Sequence, residues 1–346
     1  MSRADFRLSL VVPVYNEEES IDAFISAIDT ELAPLKDQLE IVFVNDGSRD
    51  RTREVVEQAI ARDPRVTLVN LARNFGKEAA MTAGLHQAKG DAIVPMDVDL
   101  QDPPSLILEF VKLWQTGDYD TVYGIRVDRS ADTPMKRLTA GGFYRFFNAL
   151  STSTKLPENA GDFRLIDRKV VEAIKQLPER NRFMKGLFAW AGFRAVGVPY
   201  ERPARHAGET KFNYWKLWNF ALDGLMSFSS WPLRVWSYIG VGVSFIAFLY
   251  ILKIITQVLF FGIDVPGYAS LMSVMLFLGG IQLLSLGIIG EYIGRMFVEV
   301  KQRPVYLIEG VYGQYAKQEV PTTSKKGAGK KAAAKAADDQ QEQASQ

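Results

Sequence analysis

Two long apolar runs near the C-terminus constrain the fold of this chain more than any other feature. The first begins at Val235, is interrupted by Lys253 and reaches Gly262, and the second, Tyr268 to Gly290, contains no charged residue. About 20 apolar residues in a helix suffice to cross the hydrocarbon core of a bilayer. Buried helices of a soluble domain are the alternative, but they are usually shorter and amphipathic. The runs predict two transmembrane helices, over residues 234–262 and 268–294.

The charges around the two runs predict their orientation. The turn between them, IDVPG, has no basic residue, whereas Arg234, Arg295, Lys301 and Arg303 flank the outer ends. Because basic residues favour the cytoplasmic side, both ends are expected in the cytoplasm and the turn outside.

The segments that adjoin the predicted spans differ in composition. Residues 211–233 combine two lysines with tyrosine, phenylalanine and tryptophan, which is typical of amphipathic helices in the membrane interface, although a buried helix would also show it. Residues 295–320 are expected to form a cytoplasmic segment. The tail, residues 321–346, has low complexity and is expected to be disordered.

Composition argues against several kinds of site. The formal net charge of +1 indicates no nucleic-acid partner. The chain has no cysteine, which excludes disulfides and thiolate metal sites, and its two histidines lie far apart in sequence. The apolar run before Pro13 is too short for a secretory signal, so the first domain is expected to stay in the cytoplasm.

Short apolar runs alternate with helical patterns over the first 125 residues. The runs cover residues 8–14, 39–45, 66–71, 91–96 and 120–125, and the helical patterns lie near residues 17–33, 50–62, 77–88 and 103–115. This alternation predicts an α/β fold with an open, mostly parallel sheet and right-handed crossovers. We expect this domain to occupy residues 1–210.

Polar residues follow four of these predicted strands. They are Tyr15, Asn16 and Glu17; Asn45, Asp46, Gly47 and Ser48; Arg73, Asn74, Gly76 and Lys77; and Asp97, Asp99 and Gln101. Each cluster alone is explained equally well as a turn, a helix cap or a solvated loop. Because ligands of such sheets bind beyond the carboxyl ends of the strands, four clusters at one edge predict one site. The chain has no Walker, GxGxxG or GxSxG motif, which argues against P-loop hydrolysis, dinucleotide binding of that type and serine esterase chemistry.

These strand-end motifs resemble those of a known family. VPVYNEEES, FVNDGSRDRT, LARNFGKEAAMTAGL and MDVDLQDPP are similar to motifs of GT-A family 2 glycosyltransferases. ENAGDFRLIDR, RPARHAGETKF and the two apolar runs resemble, more narrowly, the polyprenyl-phosphate glycosyltransferases, which include dolichyl-phosphate mannose synthase and the GtrB-type bactoprenol glucosyltransferases. The resemblance runs from about residue 8 to residue 310 and implies a Rossmann-like GT-A domain followed by interfacial and transmembrane helices.

The resemblance also implies roles for individual residues. Donor binding is implied for Pro13, Tyr15, Glu17, Asp46, Asp97, Val98 and Gln101, and metal contact for Asp97, Asp99 and Gln101. The implied catalytic residues are Asp99, Asp162, Arg205 and Lys211, and the candidates for holding the acceptor phosphate are Arg126 and Arg164.

Three of these residues have open alternatives. Asp162 would act as a base or orient a sugar hydroxyl, or would only terminate a turn or cap a helix. Arg205 and Lys211 would neutralise the donor diphosphate, or would instead meet lipid headgroups.

The expected reaction explains why carboxylates gather beside a diphosphate. Carboxylates alone would repel the leaving group, so Mg²⁺ or Mn²⁺ is expected between them and the nucleotide-sugar donor, most simply UDP-glucose. The expected acceptor, undecaprenyl phosphate, is largely dianionic at pH 7 and needs positioning more than deprotonation. Direct attack on an α-linked donor would invert the anomeric carbon and give a β-linked lipid-phosphate sugar for cell-envelope polysaccharide modification.

Other functions stay open on the sequence alone. The same residues would serve UDP-GlcNAc or another nucleotide sugar. A processive polysaccharide synthase is expected to have a QxxRW motif and more spans, and the chain shows neither. The intact Asp97, Asp99 and Gln101 argue against a non-catalytic nucleotide-sugar-binding scaffold. By resemblance, the protein is expected in the bacterial inner membrane, in contact with lipids, as a homo-oligomer such as a tetramer.

Overall fold

The computed structural model describes residues 3, 5–126, 160–180, 182–201, 231–261 and 267–314. Arg205, Lys211, most of the predicted interfacial segment and the predicted disordered tail therefore lie outside the described residues.

An α/β domain accounts for most of the described chain. Its strands are β1 (Leu8–Val14), β2 (Leu39–Asn45), β3 (Val66–Leu71), β4 (Ala92–Pro95), β5 (Thr121–Arg126), β6 (Ala160–Asp167), β7 (Ala195–Tyr200) and β8 (Ile308–Tyr312). The helices are α1 (Ile21–Glu31), α2 (Thr52–Arg62), α3 (Lys77–Gln87), α4 (Leu106–Gln115), α5 (Arg168–Lys175), α6 (Met184–Trp190), α7 (Trp231–Phe261) and α8 (Tyr268–Val300), with a 3-10 helix at Ala33–Gln38. All five predicted strands and four predicted helices of the first 125 residues are confirmed.

The described strands form one sheet in the order β7-β5-β6-β4-β1-β2-β3-β8. Strand β1 pairs in parallel with β2 and β4, β2 with β3, and β5 with β7. Strand β6 runs antiparallel between β4 and β5, and β8 runs antiparallel along β3. The predicted GT-A-like, mostly parallel sheet is confirmed, but β6, β7 and β8 were not predicted.

Apolar clusters cover both faces of the sheet. One cluster lies between the sheet and helices α1, α2 and α4 and contains Phe24, Phe43 and Phe110. The other lies between the sheet and helices α3, α5 and α6 and contains Met81, Val171 and Phe188. Strands covered on both sides are expected to be apolar throughout rather than alternating, and all residues of β2 and β3 are buried.

Helix α3 packs unusually close to the centre of the sheet. A Cβ at Gly84 would lie 2.3 Å from Val11 Cγ1 and 2.9 Å from Val44 Cγ2. Only glycine permits this approach without displacing the helix. The N-terminus of α3 is thereby held at the carboxyl ends of β1, β2 and β4, the edge that we call the rim.

Helices α7 and α8 contain the two apolar runs. Within the described residues, Phe277–Val300 in α8 is the one stretch long and apolar enough to cross a membrane, with a mean hydropathy of 1.4. In α7 the comparable stretch, Tyr238–Tyr250, is shorter. Length and composition therefore support one span directly, and the predicted pair of spans is not confirmed by this criterion.

The chain returns from α8 to the rim of the sheet. Strand β8 begins opposite Leu71, the last residue of β3, and Ala72 N donates to Leu307 O at 2.9 Å. At the end of α8, Glu299 Oε1 accepts from Arg180 N at 2.8 Å. Helix α8 is therefore joined to the domain at the same edge that carries the four polar clusters.

A buried histidine contributes to this junction. His86 Nδ1, near the C-terminal end of α3, lies 2.7 Å from Tyr306 Oη. Burial, together with the charges of Arg182 and Lys175, lowers the pKa of His86 to about 4. The imidazole is therefore neutral at pH 7, which suits an uncharged contact between α3 and the segment after α8.

Candidate active site

A cleft at the rim brings together residues from β1, α3, β4, β6 and the loop after β4. It is lined by Pro13, Lys77, Met81, Pro95, Met96, Asp97, Asp102, Asp162 and Phe163. Pro13, Asp97 and Asp162 were predicted as site residues. Lys77 belonged to a predicted rim cluster without an assigned role.

Lys77 connects the two acidic residues of the cleft. Its Nζ lies 2.6 Å from Asp97 Oδ1 and 3.7 Å from Asp162 Oδ2. Burial acts to lower the pKa of Lys77, but the carboxylates of Asp97 and Asp162 outweigh burial and raise that pKa. Lys77 is therefore a permanent positive charge at the N-terminus of α3, between residues that approach from different strands.

Asp162, on β6, lies between two lysines. Besides Lys77, Lys185 Nζ of α6 is 3.9 Å from Asp162 Oδ1, a buried atom without a hydrogen-bond partner among the described residues. Burial acts to raise the pKa of Asp162. Nearby positive charges, above all those of Lys185 and Lys77, outweigh burial and lower that pKa. Asp162 is therefore ionised at pH 7 and lies between two positive charges.

Glu78 lies beside this group and behaves differently. Its Oε2 accepts from Met184 N at 3.2 Å, which ties α3 to the start of α6. Burial, with a further contribution from the negative charge of Asp162, raises the pKa of Glu78 to about 7. Whenever Glu78 is protonated, the two negative charges of Glu78 and Asp162 do not lie together.

We expect Glu78→Gln to change how stability depends on pH. Because the pKa of Glu78 is raised on folding, its carboxyl favours the folded state below about pH 4.5, the ordinary pKa of glutamate, and this contribution is lost as the pH rises through 7. Glutamine stays neutral and keeps an acceptor for Met184 N. The thermal midpoint of Glu78→Gln relative to the wild type should therefore rise between pH 5 and pH 8, by a few degrees.

Thermal unfolding of the purified full-length protein at several pH values measures this effect. Glu54→Gln, at an exposed position of α2, is the matched control and should parallel the wild type at every pH. If the Glu78→Gln and wild-type midpoints differed by a constant amount from pH 5 to pH 8, the raised pKa would be wrong.

The loop after β4 places Asp97 and Asp99 through an unusual backbone. Leu100 adopts φ 53°, in the left-handed region that branched side chains rarely enter, and Gln101 N donates to Asp99 Oδ1 at 3.2 Å. Such conformations are concentrated at functional sites, where the surrounding structure holds them in place. Gln101 is 8% exposed, and Val98 is buried in the apolar core, so any donor contact of Val98 would come from its backbone.

The loops after β1 and β2 hold each other. Asn16, which also has a left-handed φ of 54°, accepts from Arg49 N at Oδ1 and donates its own N–H to Ser48 Oγ at 3.0 Å. Glu17 N donates to Thr52 Oγ1 at 2.9 Å, and Glu17 Oε2 accepts from Ser20 Oγ at 3.0 Å. Tyr15 lies half-buried in the first of these loops.

Asp46 orders the third rim loop. Its Oδ1 accepts from Phe75 N at 2.7 Å and its Oδ2 from Gly76 N at 2.9 Å. Burial raises the pKa of Asp46, although these two backbone hydrogen bonds oppose the shift. Both oxygens thus bind the loop that precedes α3, and direct contact with the donor stays a prediction.

Gly47 makes the close approach of these loops possible. It has φ +65°, and a Cβ there would lie 2.5 Å from the backbone of Arg73 and Asn74. We expect Gly47→Ala to destabilise the protein by about 2–4 kcal/mol, because the left-handed conformation costs ~1 kcal/mol or more and a backbone clash adds to it.

Gly117→Ala is the matched control for Gly47→Ala. Gly117 has φ +84° but has no atom within 4 Å of a Cβ, so its substitution adds strain without a clash. The thermal midpoint should fall clearly further for Gly47→Ala. Equal decreases would contradict the importance of the loop contact.

Arg126, Tyr200 and Asp102 close one side of the cleft. Tyr200 Oη donates to Asp102 Oδ1 at 2.5 Å, and Arg126 Nε donates to Tyr200 Oη at 3.3 Å. Burial and the negative charge of Asp102 raise the pKa of Tyr200 to about 12, so the phenol keeps its proton. Tyr200 ends β7, directly before the segment that contains Arg205 and Lys211.

The two candidates for binding the acceptor phosphate differ in accessibility. The side chain of Arg126 is 30% exposed, and its Nη2 lies 3.9 Å from Oδ1 of Asp102, which lines the cleft. Arg164 is 6% exposed, donates to Gly161 O at 2.7 Å and lies 4.5 Å above the ring of Phe188. The positive charge of Arg164 helps to lower the pKa of Asp162. Arg126 is therefore the better placed of the two for an incoming phosphate.

The loop after β4 offers donor atoms suited to a divalent cation. Asp97 and Asp99 supply carboxylates and Gln101 an amide oxygen, which are hard ligands that Mg²⁺ and Mn²⁺ accept. Among the described residues, no three His, Cys, Asp or Glu side chains come together as a metal cage. This set fits a cation whose other positions are filled by substrate phosphates and water, as is usual for Mg²⁺.

Two family models match this chain. The model described as "Glycosyl transferase family 2" matches residues 9–175, and the model described as "GtrB C-terminal hairpin" matches residues 231–296. The SfII prophage-derived bactoprenol glucosyl transferase of Shigella flexneri is 52% identical over 88% of this chain and 97% of its own length. The chain belongs to the GtrB-type glycosyltransferases of family 2.

Two further proteins are similar to this chain. The prophage bactoprenol glucosyl transferase homolog of Escherichia coli K12 is 51% identical to this GtrB-type glycosyltransferase over 88% of the chain and 99% of the relative. The solved structure of mannosyltransferase PcManGT from Pyrobaculum calidifontis, in complex with GDP-Man and Mn²⁺, is 23% identical, with a TM-score of 0.40, over 57% of this chain and 56% of that one. Similarity at that level says nothing about the ligands of this chain.

Sequence reasoning missed four residues of this GtrB-type site: Glu78, Asp102, Lys185 and Tyr200. Glu78 and Asp102 directly follow recognised clusters, so extending each cluster by one residue would have found them. Lys185 and Tyr200 have no local signal, because they reach the cleft only through the placement of α6 and β7.

Proposed function

We propose that this glycosyltransferase transfers glucose from UDP-glucose to undecaprenyl phosphate at the cytoplasmic face of a bacterial inner membrane, for cell-envelope polysaccharide modification. The observation that carries the proposal is the position of the cleft. Asp97, Asp162 and Lys77 meet at the rim of the sheet, and the chain returns from α8 to the same rim beside β3. A site at this edge is within reach of an acceptor whose phosphate stays at the bilayer surface.

Both long helices cross the membrane in this proposal. Helices α7 and α8 have 31 and 33 residues, more than the roughly 20 that a span requires. The match of residues 231–296 to a C-terminal hairpin supports a pair of helices with a short outer turn. The catalytic domain and both termini are then cytoplasmic, in agreement with the basic residues at the outer ends. The tetramer stays a prediction.

The transfer is a single displacement. An oxygen of the lipid phosphate attacks the anomeric carbon, the bond from that carbon to the UDP oxygen breaks, and UDP leaves with the bonding electrons. The configuration inverts and no covalent enzyme intermediate forms. The acceptor phosphate is already dianionic near pH 7, so this step requires no proton removal.

Asp162 acts by orientation rather than as a base in this reaction. A general base is most effective when its pKa lies near the operating pH, whereas the pKa of Asp162 is lowered. Its carboxylate instead forms ion pairs with Lys77 and Lys185 and accepts a hydrogen bond from a hydroxyl of the transferred sugar. Lys77, Lys185 and Arg126 supply positive charge for the two phosphorylated substrates, with Arg205 and Lys211 assigned to the donor diphosphate.

Asp97, Asp99 and Gln101 would hold Mg²⁺ or Mn²⁺ in the same proposal. When bound, the cation offsets the negative charge that develops on the leaving diphosphate. Pro13, Tyr15, Glu17 and Asp46 remain assigned to the base and ribose of the donor.

A transfer assay tests the proposed function. Purified full-length protein is incubated with undecaprenyl phosphate, Mg²⁺ or Mn²⁺ and one radiolabelled donor at a time: UDP-glucose, UDP-GlcNAc, UDP-galactose or GDP-mannose. We expect UDP-glucose to label the lipid. Labelling by a different donor alone would refute glucose as the sugar, and labelling by none of them would refute the proposed reaction.

A further inference from the structure

A chain of hydrogen bonds runs from the strand after the long helices to the predicted nucleotide-binding loops. Glu309 Oε2 on β8 accepts from Asn70 Nδ2 at 2.9 Å, and Asn70 Oδ1 accepts from Asn45 Nδ2 at 2.6 Å. Asn45 Oδ1 then accepts from Ser48 N at 3.1 Å, and Ser48 Oγ accepts from Asn16 N at 3.0 Å. Four contacts thus connect the C-terminal strand to the loops after β2 and β1.

The carboxylate at the start of this chain fixes the direction of its first two bonds, and the backbone N–H groups of Ser48 and Asn16 can only donate in the other two. An ionised glutamate only accepts hydrogen bonds, so Asn70 must present its amide nitrogen to Glu309 and its oxygen to Asn45. Asn45 must therefore direct its amide nitrogen towards the oxygen of Asn70. The amide oxygen of Asn45 then accepts from Ser48 N. Asn45 and Asn70 are each 3% exposed, so water cannot satisfy an amide that faces the wrong way.

Arg53 holds this carboxylate in place. Its guanidinium, on α2, donates to Glu309 Oε1 at 3.2 Å and to Tyr312 Oη at 2.9 Å. The two oxygens of Glu309 therefore have separate partners, one charged and one amide. Half of the Glu309 side chain is exposed, so keeping it ionised has a small desolvation cost.

We propose that Glu309 is a positioning residue for nucleotide binding. It sets the orientation of Asn70 and Asn45, which in turn fixes Ser48 and the loop that contains Asn16. The strand that follows the two long helices thereby shapes the donor site without touching the donor. This inference rests on the proposed function, because it places the nucleotide at these loops.

Glu309→Gln reverses the chain without removing any large side chain. The charged guanidinium of Arg53 can only donate hydrogen bonds, and it forms the stronger of the two contacts, so it takes the oxygen of the new glutamine. The nitrogen of that glutamine then faces Asn70. Asn70 and Asn45 must then turn over, and Ser48 N loses its acceptor. We expect UDP, titrated calorimetrically into the full-length protein with Mg²⁺, to bind about 5- to 10-fold more weakly. The KM for the donor should rise similarly while kcat stays within about twofold.

Glu57→Gln is the matched control. Glu57 Oε1 is the other carboxylate partner of Arg53, at 2.9 Å from Nε, and it has no contact with Asn70. It should bind UDP like the wild type. If Glu309→Gln also bound UDP like the wild type, the proposal would be overturned.

A second substitution restores the direction of the bonds. In Glu309→Gln combined with Asn70→Asp, the new carboxylate accepts from both Gln at 309 and Asn45, so Asn45 regains its original orientation. UDP affinity should return to within about threefold of the wild type. Failure to recover, with Glu309→Gln still weakened, would show that Glu309 only stabilises the sheet edge and would refute the positioning role.

Hydrogen exchange of the unliganded protein separates this inference from the proposed function. Glu309→Gln should speed exchange of the peptide that contains Ser48, and the double variant should slow it again. If the wild type failed to bind UDP, the proposed function would be wrong, but the exchange result would still decide whether Glu309 orders the loop. Unchanged exchange at Ser48 in Glu309→Gln would refute that ordering.

Discussion

Replacing Asp162 with asparagine is expected to lower kcat for lipid glucosylation by about a thousandfold. Asparagine has nearly the same size but no charge, so Lys77 and Lys185, at 3.7 and 3.9 Å, lose their shared partner. The sugar hydroxyl also loses a charged acceptor. Losses of 10²–10³ are usual when one preorganised electrostatic contact is removed from a reacting centre. Single-turnover transfer from labelled UDP-glucose measures the effect.

The pH dependence of Asp162→Asn distinguishes orientation from base catalysis. With the pKa of Asp162 lowered, loss of kcat on the acid side should reflect the lipid phosphate, whose second pKa is about 6. The kcat of the variant, although reduced, should still fall at low pH as the wild-type kcat does. Its affinity for UDP should change little. Disappearance of the acid limb in Asp162→Asn would instead identify Asp162 as the base, and retention of more than a tenth of the wild-type kcat would contradict its importance.

Asp99→Ala is expected to lower kcat/KM by about a thousandfold or more. The substitution removes one of two carboxylates assigned to the cation and also removes the acceptor for Gln101 N, so the loop with Leu100 at φ 53° loses support. Electrostatic stabilisation of a leaving diphosphate by a cation is worth several kcal/mol. Initial rates in titrations of Mg²⁺ and Mn²⁺ measure the change.

Asp99→Asn separates charge from loop shape. Asparagine keeps an oxygen for Gln101 N but has no negative charge. If charge is what matters, Asp99→Asn should lose nearly as much activity as Asp99→Ala, and chelation by EDTA should abolish wild-type activity until Mg²⁺ or Mn²⁺ is restored. Wild-type rates in Asp99→Asn, or in EDTA, would contradict the assignment of a cation to this loop.

The geometry of the rim links these expectations to a membrane-bound acceptor. Strand β8 begins beside the last residue of β3, and Arg180 N donates to Glu299 at the end of α8. Helix α8 and the α/β domain are therefore joined through short, hydrogen-bonded segments at the rim that also carries the cleft. An acceptor phosphate at the bilayer surface would meet the cleft with little change in the domain.

Prediction from the sequence succeeded where the signal was local. Strands β1, β2 and β3 coincide with the predicted runs, because a strand covered on both faces is apolar throughout and is bounded by polar turns. Strands β6 and β8 were missed, since their short stretches are interrupted by glycine and polar residues and become strands only by pairing with β4, β5 and β3.

The candidate site divides in the same way. Asp97 and Asp162 were predicted from their motifs, and the structure places both at one cleft. The sequence could not predict that Lys77 lies between them, that Lys185 approaches Asp162 from the other side, or that burial raises the pKa of Glu78 to about 7. Distances between charges and their burial depend on how separate elements pack, and those quantities set each pKa.

By itself, then, the sequence determined the α/β class, the two apolar runs, the four rim clusters and the glycosyltransferase family, because periodicity and motif spacing are properties of short segments. Which charges meet in the cleft, and the contact of Glu309 with Asn70 more than 200 residues earlier in the chain, depend on the tertiary structure. The physical reason is that hydrogen bonds and ion pairs act over about 3–4 Å, and only strand order and helix packing bring distant residues that close.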